Sequence, residues 1–496
     1  MDISSLVSSV KSFFFRGIKS IPVVRERIQK EYNEIMKSLE GSLKPYKGKF
    51  ASFKEIPREG KSQEDILQIM KEIKDFEESR WKDGYVSGAV YHGDEKHIDF
   101  LNKVYSIHSQ TNPLHSDLWP SIGKYEAEVV AMTSFMLGAD NSDNASICGT
   151  LSSGGTESIL LAMKTYRDWA RDTKGIHNPE VVLPITAHAA FDKASEYFHI
   201  KLVKIPIESD YRVNIEKVKN AISKNTIAIV GSAPSFPHGV IDPIEELSEI
   251  AREHGVGFHT DACLGGFLLP FAEKLGYQVP VFDFRLPGVT SISVDTHKYG
   301  YAAKGISVIL YRTKELRRYQ YFKITEWPGG IYFSPSFAGS RPGALSAMSW
   351  AAMVNIGEKG YMANAKKILE TANKIKNEIK TIPDLFVLGD PLFNVSFSSH
   401  TIDIYKVMES MTHKNWSLNG LHKPSCVHIC VTLRHTQEGV AERFITDLRE
   451  SVAYVKAHPS EKGEMAPVYG MAATIPDRTA VADLLDMYMD LLYKIE

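Results

Sequence analysis

A histidine and a lysine follow one of the predicted strands, and this pair is the clearest sign of chemistry in the sequence. The alternating, β-branched run 289–294 predicts a strand, and a polar turn carrying His297 and Lys298 follows it. At the end of a buried strand, desolvation and a neighbouring cation are expected to lower the pKa of the Lys298 amine and make it nucleophilic. Such a lysine can form a Schiff base with a carbonyl compound. An isolated His-Lys pair is more often a surface turn, so the neighbouring motifs decide.

A run of small residues could bind an anion. Residues 150–158 read Thr-Leu-Ser-Ser-Gly-Gly-Thr-Glu-Ser and lead into a helix that we expect to begin near Glu157. Gly154, Gly155 and Thr156 allow backbone N–H groups to approach a phosphate, and a helix N-terminus favours negative charge. The run is not a Walker loop, because no Gly-Lys-Ser/Thr follows it.

Two more polar residues stand at the ends of predicted strands. Asp261 ends a strand, and a buried carboxylate there needs a cationic partner such as a protonated pyridine nitrogen. The 37 residues from Asp261 to Lys298 suffice for one helix-containing crossover between neighbouring strands. His188 follows another predicted strand and could stack on a cofactor ring. Together, the anion-binding run, carboxylate, lysine and histidine describe a site for pyridoxal 5'-phosphate.

The elements that must position these residues alternate regularly. Strands are predicted at 181–186, 202–205, 226–231, 257–260, 291–294 and 305–311, with helices between most of them. This alternation predicts an α/β fold with a mostly parallel sheet, in which ligands bind at the carboxyl ends of the strands. We divide the chain into a helical and extended N-terminal arm (1–110), a large cofactor-binding domain (111–380) and a small C-terminal α+β domain (381–496).

Composition excludes several classes of function. The 496 residues carry a formal net charge of -2, which gives no reason to expect a nucleic-acid partner. Four cysteines are few for this length and fit a reducing compartment; we interpret Cys426 and Cys430 as packing residues on one strand. The sequence contains no uninterrupted run of 18 or more apolar residues, so it predicts no transmembrane helix. The amphipathic segment 3–21 could lie on a membrane surface or dock on protein.

Several motifs resemble one enzyme family. Residues 153–158, 232–239, 259–261 and 293–300, together with 112–115, Lys304 and 465–471, resemble the sphingosine-1-phosphate lyases. These belong to the group II decarboxylase-like, fold-type I pyridoxal-phosphate enzymes, and the resemblance runs from about residue 62 to the C-terminus. It implies a homodimer whose active sites are shared between subunits.

The resemblance also implies roles for individual residues. Lys298 would bind the cofactor covalently, Asp261 would pair with its pyridine nitrogen, and His188 would stack on its ring. The cofactor phosphate would be bound by Gly154, Gly155, Thr156 and His297, and by Ser340 from the other subunit. The substrate phosphate would be bound by Tyr91, Asn112, His115 and Lys304.

The implied reaction is cleavage of the C2–C3 bond of a phosphorylated sphingoid base, giving a long-chain aldehyde and phosphoethanolamine. Lys298 or a neighbouring histidine would carry the proton. The alternatives are an amino-acid decarboxylase on the same fold and a catalytically silent scaffold. Eukaryotic relatives commonly carry an N-terminal membrane anchor, and this chain shows none. We therefore expect a cytoplasmic protein that can contact the cytosolic face of the endoplasmic reticulum membrane.

Overall fold

A seven-stranded sheet lies at the centre of the computed structural model, which describes residues 22–139, 147–460 and 478–495. Its order is β1-β7-β6-β5-β4-β2-β3. The strands are β1 (Cys148–Ser152), β2 (Glu180–Pro184), β3 (Lys201–Ile205), β4 (Thr226–Ser232), β5 (Gly257–Asp261), β6 (Ser291–Val294) and β7 (Ser307–Tyr311).

Most of this sheet is parallel, as predicted. Strands β3, β2, β4, β5 and β6 run in one direction, and β7 pairs antiparallel with β6. Strand β1 pairs antiparallel with β7, so it runs in the direction of β6. Strand β1 and these two antiparallel pairings were not among the predictions. As a result, the carboxyl ends of the six strands β1 to β6 lie at one edge.

Helices surround the sheet and extend beyond it. Those before β7 are α1 (Pro22–Leu43), α2 (Gln63–Lys82), α3 (Glu95–His108), α4 (Pro120–Met136), α5 (Gly155–Lys174), α6 (Ala190–Phe198), α7 (Ile215–Ala221), α8 (Ile244–Glu253) and α9 (Leu269–Lys274). Those after β7 are α10 (Lys314–Arg317), α11 (Gly343–Lys380), α12 (Ile404–His413), α13 (Val440–Ala457) and α14 (Arg478–Tyr493).

The sequence of β4 shows why the sheet forms. All seven residues of Thr-Ile-Ala-Ile-Val-Gly-Ser are buried, as in a parallel strand covered by helices on both faces. Helix α8 places Ile244, Leu247, Ile250 and Ala251 on one buried face at helical spacing. Burying these apolar faces against each other removes them from water, which is the main favourable term in folding.

A second, antiparallel sheet follows the long helix α11. Its strands, in the order β10-β11-β13-β12, are β10 (Phe386–Val387), β11 (Asn394–Ser398), β12 (Asn419–Leu421) and β13 (Cys426–Cys430). Helix α11 bends at Gly357, whose φ of 59° interrupts the helical backbone. Strands β8 (Phe322–Ile324) and β9 (Tyr332–Ser334) form a separate hairpin. One hydrophobic core contains residues from both sheets, so the domain boundaries at 110 and 380 stay predictions.

The two ends of the described chain meet. Tyr32 and Met36 of α1 pack against Leu484 and Leu491 of α14. Segment 3–21 and the motif at 465–471 lie outside the described residues. All four cysteines are buried and unpaired, in agreement with the prediction. Among the described helices, none combines the length and apolarity that crossing a bilayer requires.

Candidate active site

The predicted site residues that follow strands lie at the edge of the sheet where the six strands β1 to β6 end. Gly154 and Gly155 follow β1, His188 follows β2, Asp261 ends β5, and Lys298 comes four residues after β6. Strands β5 and β6 are neighbours, and Asp261 is in register with Ser293. Adjacent strands lie about 4.8 Å apart, so Asp261 and the Lys298 turn are side by side. The predicted crossover between them contains α9.

Lys298 forms an ion pair that the sequence analysis missed. Its Nζ lies 2.8 Å from Oδ2 of Asp295, a carboxylate that is only 2% exposed. Burial alone would lower the pKa of the Lys298 amine, but the negative charge of Asp295 outweighs burial and raises it. Burial would likewise raise the pKa of Asp295, but the charges of Lys298 and His297 lower it. The expected lowering of the lysine pKa is therefore wrong, because Asp295 stabilises the ammonium form.

This ion pair predicts how the protein takes up a carbonyl compound. Only the neutral amine can attack a carbonyl, so the Asp295→Asn apoprotein should bind pyridoxal phosphate at least about tenfold faster at pH 7, because a fall of one unit in the lysine pKa frees ten times more amine. Loading should accelerate as pH rises in both proteins, and the variant should reach its plateau at a lower pH. Stopped-flow absorbance measures these rates.

Asp283→Asn is the matched control for this prediction, since Asp283 is equally buried but pairs with Arg285. It should load like the wild type. An Asp295→Asn variant whose loading rate and pH dependence match the wild type would contradict the prediction.

The loop after β1 forms an anion-binding cradle. Gly154 has φ 152° and ψ 170°, a conformation that side chains rarely allow. Helix α5 begins at Gly155, two residues earlier than predicted, so Thr156 lies in its first turn. No side chain caps this helix within the described chain, so its first N–H groups remain available to an anion. A Cβ atom on Gly155 would lie 2.7 Å from Cys263 Sγ and 2.8 Å from Asp295 Oδ1.

Glu157 fixes the shape of this cradle. Its buried carboxylate accepts one hydrogen bond from the Ser153 N–H at 2.5 Å and one from the Phe337 N–H at 2.9 Å. The second bond ties the cradle to the segment before α11. A phosphate group fits this arrangement, because glycine backbone and a helix N-terminus face the same space.

Asp261 has one oxygen engaged and one available. Its Oδ1 accepts hydrogen bonds from the Cys263 N–H at 3.1 Å and from Ser293 Oγ at 3.4 Å. Among the described residues, no group donates a hydrogen bond to its Oδ2. A buried carboxylate with a free oxygen suits a protonated ring nitrogen, which would supply the missing partner.

His297 lies beside the cradle as a neutral imidazole. Burial lowers its pKa despite the nearby Asp295. Nδ1 lies 2.6 Å from the Ile306 carbonyl oxygen, which can only accept, so Nδ1 carries the proton. Its Cε1 would lie 3.7 Å from a Cβ atom on Gly154. The unprotonated Nε2 is therefore the nitrogen that can accept a proton or a donor.

Tyr91, His297 and Lys304 line one cavity of about 250 Å³. Lys304 Nζ lies 4.5 Å from the centre of the Tyr91 ring and donates to the His297 carbonyl oxygen at 3.3 Å. Although Lys304 reaches solvent, burial and the charge of Lys298 lower its pKa to about 8. Burial raises the pKa of Tyr91, which therefore stays a neutral phenol. Another cavity, of about 440 Å³, is lined in part by Tyr166, and none of the predicted site residues lines it.

His188 is exposed at the same edge. Its Nδ1 accepts a hydrogen bond from the Ala190 N–H at 3.1 Å, which orients the ring. The Phe236 ring lies edge-on at 6.2 Å. No described hydrogen bond, ion pair or ring contact joins His188 to Lys298, so its predicted stacking role stays a prediction.

Asn112, His115 and Ser340 form a separate group within one chain. Asn112 Oδ1 accepts hydrogen bonds from the Leu114 N–H at 3.1 Å and the Arg341 N–H at 3.3 Å. His115 lies in the same loop and is exposed, as is Ser340. Across the described chain, no hydrogen bond or ion pair links these three residues to Lys298. Their predicted roles are therefore not tested by a single chain.

Comparison with known proteins identifies relatives over nearly the whole chain. Residues 53–399 match the model of the pyridoxal-dependent decarboxylase conserved domain. The chain is 46% identical to the sphingosine-1-phosphate lyase of Arabidopsis thaliana, covering 97% of this chain and 88% of that one. It is 44% identical to sphingosine-1-phosphate lyase 1 of Rattus norvegicus, covering 99% and 86%.

Solved structures agree with these sequence matches. The sphingosine-1-phosphate lyase of Burkholderia pseudomallei is 42% identical, with a TM-score of 0.84 and coverage of 91% of this chain and 99% of that one. A glutamate decarboxylase of Lactobacillus brevis has a TM-score of 0.70 at 19% identity, covering 82% and 96%, and shares the fold alone. The predicted fold class and pyridoxal-phosphate cofactor are confirmed. This chain belongs to the sphingosine-1-phosphate lyase family of pyridoxal-dependent enzymes.

Proposed function

We propose that this protein cleaves the C2–C3 bond of phosphorylated sphingoid bases, releasing a long-chain aldehyde and phosphoethanolamine. The observation that carries the proposal is the position of Lys304. Its ammonium lies beside the Tyr91 ring and the His297 carbonyl, in the cavity that Tyr91 and His297 line, where a substrate phosphate would find a cation. A lyase for phosphorylated amines needs such a cation in addition to the cofactor lysine.

The residues of the strand edge would hold pyridoxal phosphate. Lys298 would bind it covalently, Asp261 Oδ2 would accept the ring N–H, and His188 would cover the ring. Its phosphate would lie in the cradle of Gly154, Gly155, Thr156 and His297. When bound, the cofactor supplies an electron sink for the bond that breaks.

The chain's own residues would then orient the substrate and move protons. Asp261 would keep a positive charge on the ring nitrogen, which stabilises negative charge developing at C2. Either Lys298 or a neighbouring histidine would carry the hydroxyl proton, and His297 is a candidate because its Nδ1 donates to the Ile306 carbonyl oxygen and its Nε2 is left unprotonated. Tyr91, Lys304, Asn112 and His115 would bind the substrate phosphate, the last two from their separate loop.

The first test uses purified protein with sphingosine 1-phosphate. We expect the aldehyde and phosphoethanolamine to appear in equal amounts, measured by mass spectrometry, and no release from the non-phosphorylated base. Carbon dioxide release from amino acids without aldehyde formation would replace this function by decarboxylation. Normal cofactor absorbance with no turnover of either substrate class would indicate a silent scaffold.

Lys304 predicts a pH dependence of substrate binding. The Lys304→Gln variant should raise KM for sphingosine 1-phosphate by about tenfold or more, because a charge-assisted bond to phosphate is lost. The pKa near 8 means that wild-type Lys304 is charged below pH 8 and loses its charge above it. Wild-type KM should therefore rise above pH 8, whereas the KM of the variant should not change there. Steady-state kinetics from pH 6.5 to 9.5 measures both.

Lys366→Gln removes an exposed lysine of α11 and is the control for this experiment. Its KM should match the wild type at every pH. If Lys304→Gln also leaves KM unchanged, the substrate phosphate lies elsewhere.

We propose that the protein acts as a homodimer with shared active sites. The β8–β9 hairpin and the segment after it carry five large apolar residues that are each more than half exposed: Phe322, Trp327, Ile331, Phe333 and Phe337. An apolar surface of this kind is typical of an interface between subunits, and Ser340 follows it directly.

Complementation tests whether the active sites are shared between subunits: mixed dimers of Lys298→Ala and Ser340→Asp chains should regain activity that neither homodimer has. No regained activity, with mixed dimers confirmed by mass spectrometry, would place Ser340 in its own subunit's site.

We also propose a cytosolic location with contact to the endoplasmic reticulum surface. Four buried, unpaired cysteines support a reducing compartment. The proposed substrate is an amphiphile that partitions into membranes, so contact with a bilayer would bring the enzyme to it. Flotation with liposomes that contain sphingosine 1-phosphate tests this contact, and a protein that stays at the bottom of the gradient would contradict it.

A further inference from the structure

A row of polar side chains is buried inside the large sheet, between Asp261 and helix α5. His259, Ser291 and Ser293 are each fully buried, and so is Tyr166 of α5. Polar groups in a core cost free energy unless they bond to one another. Here each one does, and together they form a continuous chain of hydrogen bonds.

The register of two strands creates this chain. His259 is paired with Ser291 and Asp261 with Ser293 on the neighbouring strand, so all four side chains project from one face. His259 Nε2 lies 3.1 Å from Ser293 Oγ, and His259 Nδ1 lies 2.7 Å from Ser291 Oγ. Ser293 Oγ reaches Asp261 Oδ1 at 3.4 Å, the longest link.

Tyr166 completes the chain at its far end. Its hydroxyl lies 2.6 Å from Ser291 Oγ and 2.7 Å from Thr290 Oγ1. Gly257 makes this approach possible, because a Cβ atom there would lie 2.2 Å from the Tyr166 ring. The hydrogen bonds therefore run along β5 and β6, from the amino ends of these strands to Asp261 at the carboxyl end of β5.

The chemistry of the members sets one direction for the donors. A carboxylate only accepts, so Ser293 donates to Asp261, and the Ser293 oxygen then accepts from His259 Nε2–H. Burial lowers the pKa of His259 to about 4, so the ring is neutral and has a single N–H. Its Nδ1 must then accept from Ser291, whose oxygen accepts from Tyr166. Cys263 Sγ also donates to Ser293 Oγ, at 3.2 Å.

From this geometry we infer that His259 is a positioning residue, which holds the Asp261 carboxylate oriented toward the cofactor ring through Ser293. The inference rests on the proposed cofactor-binding role of Asp261. A chain of donors that all point at one carboxylate strengthens each bond in turn. His259 touches neither substrate nor cofactor, so it acts only through Asp261.

The experiment measures cofactor binding rather than turnover. His259→Phe replaces the imidazole by a somewhat larger ring without nitrogens, and Ser293→Ala removes the hydroxyl that joins His259 to Asp261. We expect both variants to bind pyridoxal phosphate at least tenfold more weakly by fluorescence titration. The absorbance maximum of the bound cofactor should also shift in both variants, because the carboxylate that faces the ring nitrogen is no longer held in one orientation.

His435→Phe is the matched control. His435 follows β13 of the smaller sheet, is buried like His259, and has its pKa lowered by burial to about 4 as well. It should lower the melting temperature of the apoprotein without changing cofactor affinity or the absorbance maximum of the bound cofactor. Wild-type affinity and an unshifted absorbance maximum in Ser293→Ala, and in His259→Phe if it folds, would overturn the inference and leave a structural network. Failure of the wild type to bind pyridoxal phosphate would instead overturn the proposed function.

Discussion

Replacement of Lys298 by alanine is expected to abolish turnover, with a loss of about 10⁴-fold or more in kcat, because the variant has no amine to bind the cofactor covalently. The other lysine of the site, Lys304, is held by the His297 carbonyl and the Tyr91 ring and is not in the place of Lys298. Borohydride reduction should fix the cofactor to the wild-type chain, and peptide mass spectrometry should locate it on Lys298. The variant should carry no label.

Loss of Lys298 also has a consequence for stability. Asp295 would remain buried without its cation, and an uncompensated buried charge is destabilising. The melting temperature of Lys298→Ala should therefore fall, and adding Asp295→Asn should restore much of it without restoring turnover. This double variant separates a folding defect from a catalytic one.

Lys164→Ala controls for removal of a half-buried, ion-paired lysine and should keep full activity. Product formation by Lys298→Ala, or a label on another lysine, would contradict the assignment.

The sequence was informative where chemistry is local. Alternating or continuous apolar runs predicted the six strands β2 to β7, and the polar residues that follow them predicted the edge where they meet. The interval from Asp261 to Lys298 correctly indicated one crossover. These inferences needed only periodicity and the rule that parallel strands present their carboxyl ends together.

Other features depend on pairing that no local pattern reveals. Strand β1 is an edge strand and takes its direction from its pairing with β7. The sequence does not specify that pairing. The chain from His259 to Asp261 exists because of one register between β5 and β6, and a shift by one residue would move these side chains to opposite faces. The rise in the pKa of Lys298 depends on Asp295. The sequence shows that Asp295 lies three residues before Lys298, but only the folded turn brings the two side chains into an ion pair.

The roles of three predicted residues stay predictions, because a single chain does not bring them to Lys298. Asn112, His115 and Ser340 lie in loops that no described contact connects to Lys298 within one subunit. Arg341, next to Ser340, is anchored to Glu126 of α4 by an ion pair, which fixes that loop on the surface. The fixed loop is consistent with a site completed by a partner, which the complementation experiment tests.

Asp261→Asn is expected to lower kcat by about 10²–10³-fold, the usual effect of removing one preorganised electrostatic group. A neutral amide cannot stabilise a positive charge on the ring nitrogen, so the cofactor would accept electrons less well. The amide keeps the size of the carboxylate, and Lys298 remains in place. Borohydride should therefore still fix the cofactor to Lys298, which distinguishes this variant from Lys298→Ala.

Asp295→Asn is the control for charge at this edge, because it removes a neighbouring buried carboxylate that does not face the ring nitrogen in our proposal. It should alter the rate of cofactor loading but, once loaded, should lose far less kcat than Asp261→Asn. Steady-state kinetics on fully loaded enzymes measures the difference. If Asp261→Asn keeps kcat within tenfold of the wild type, the ring nitrogen does not depend on Asp261. The hydrogen-bond chain through His259 would then have no catalytic group to position.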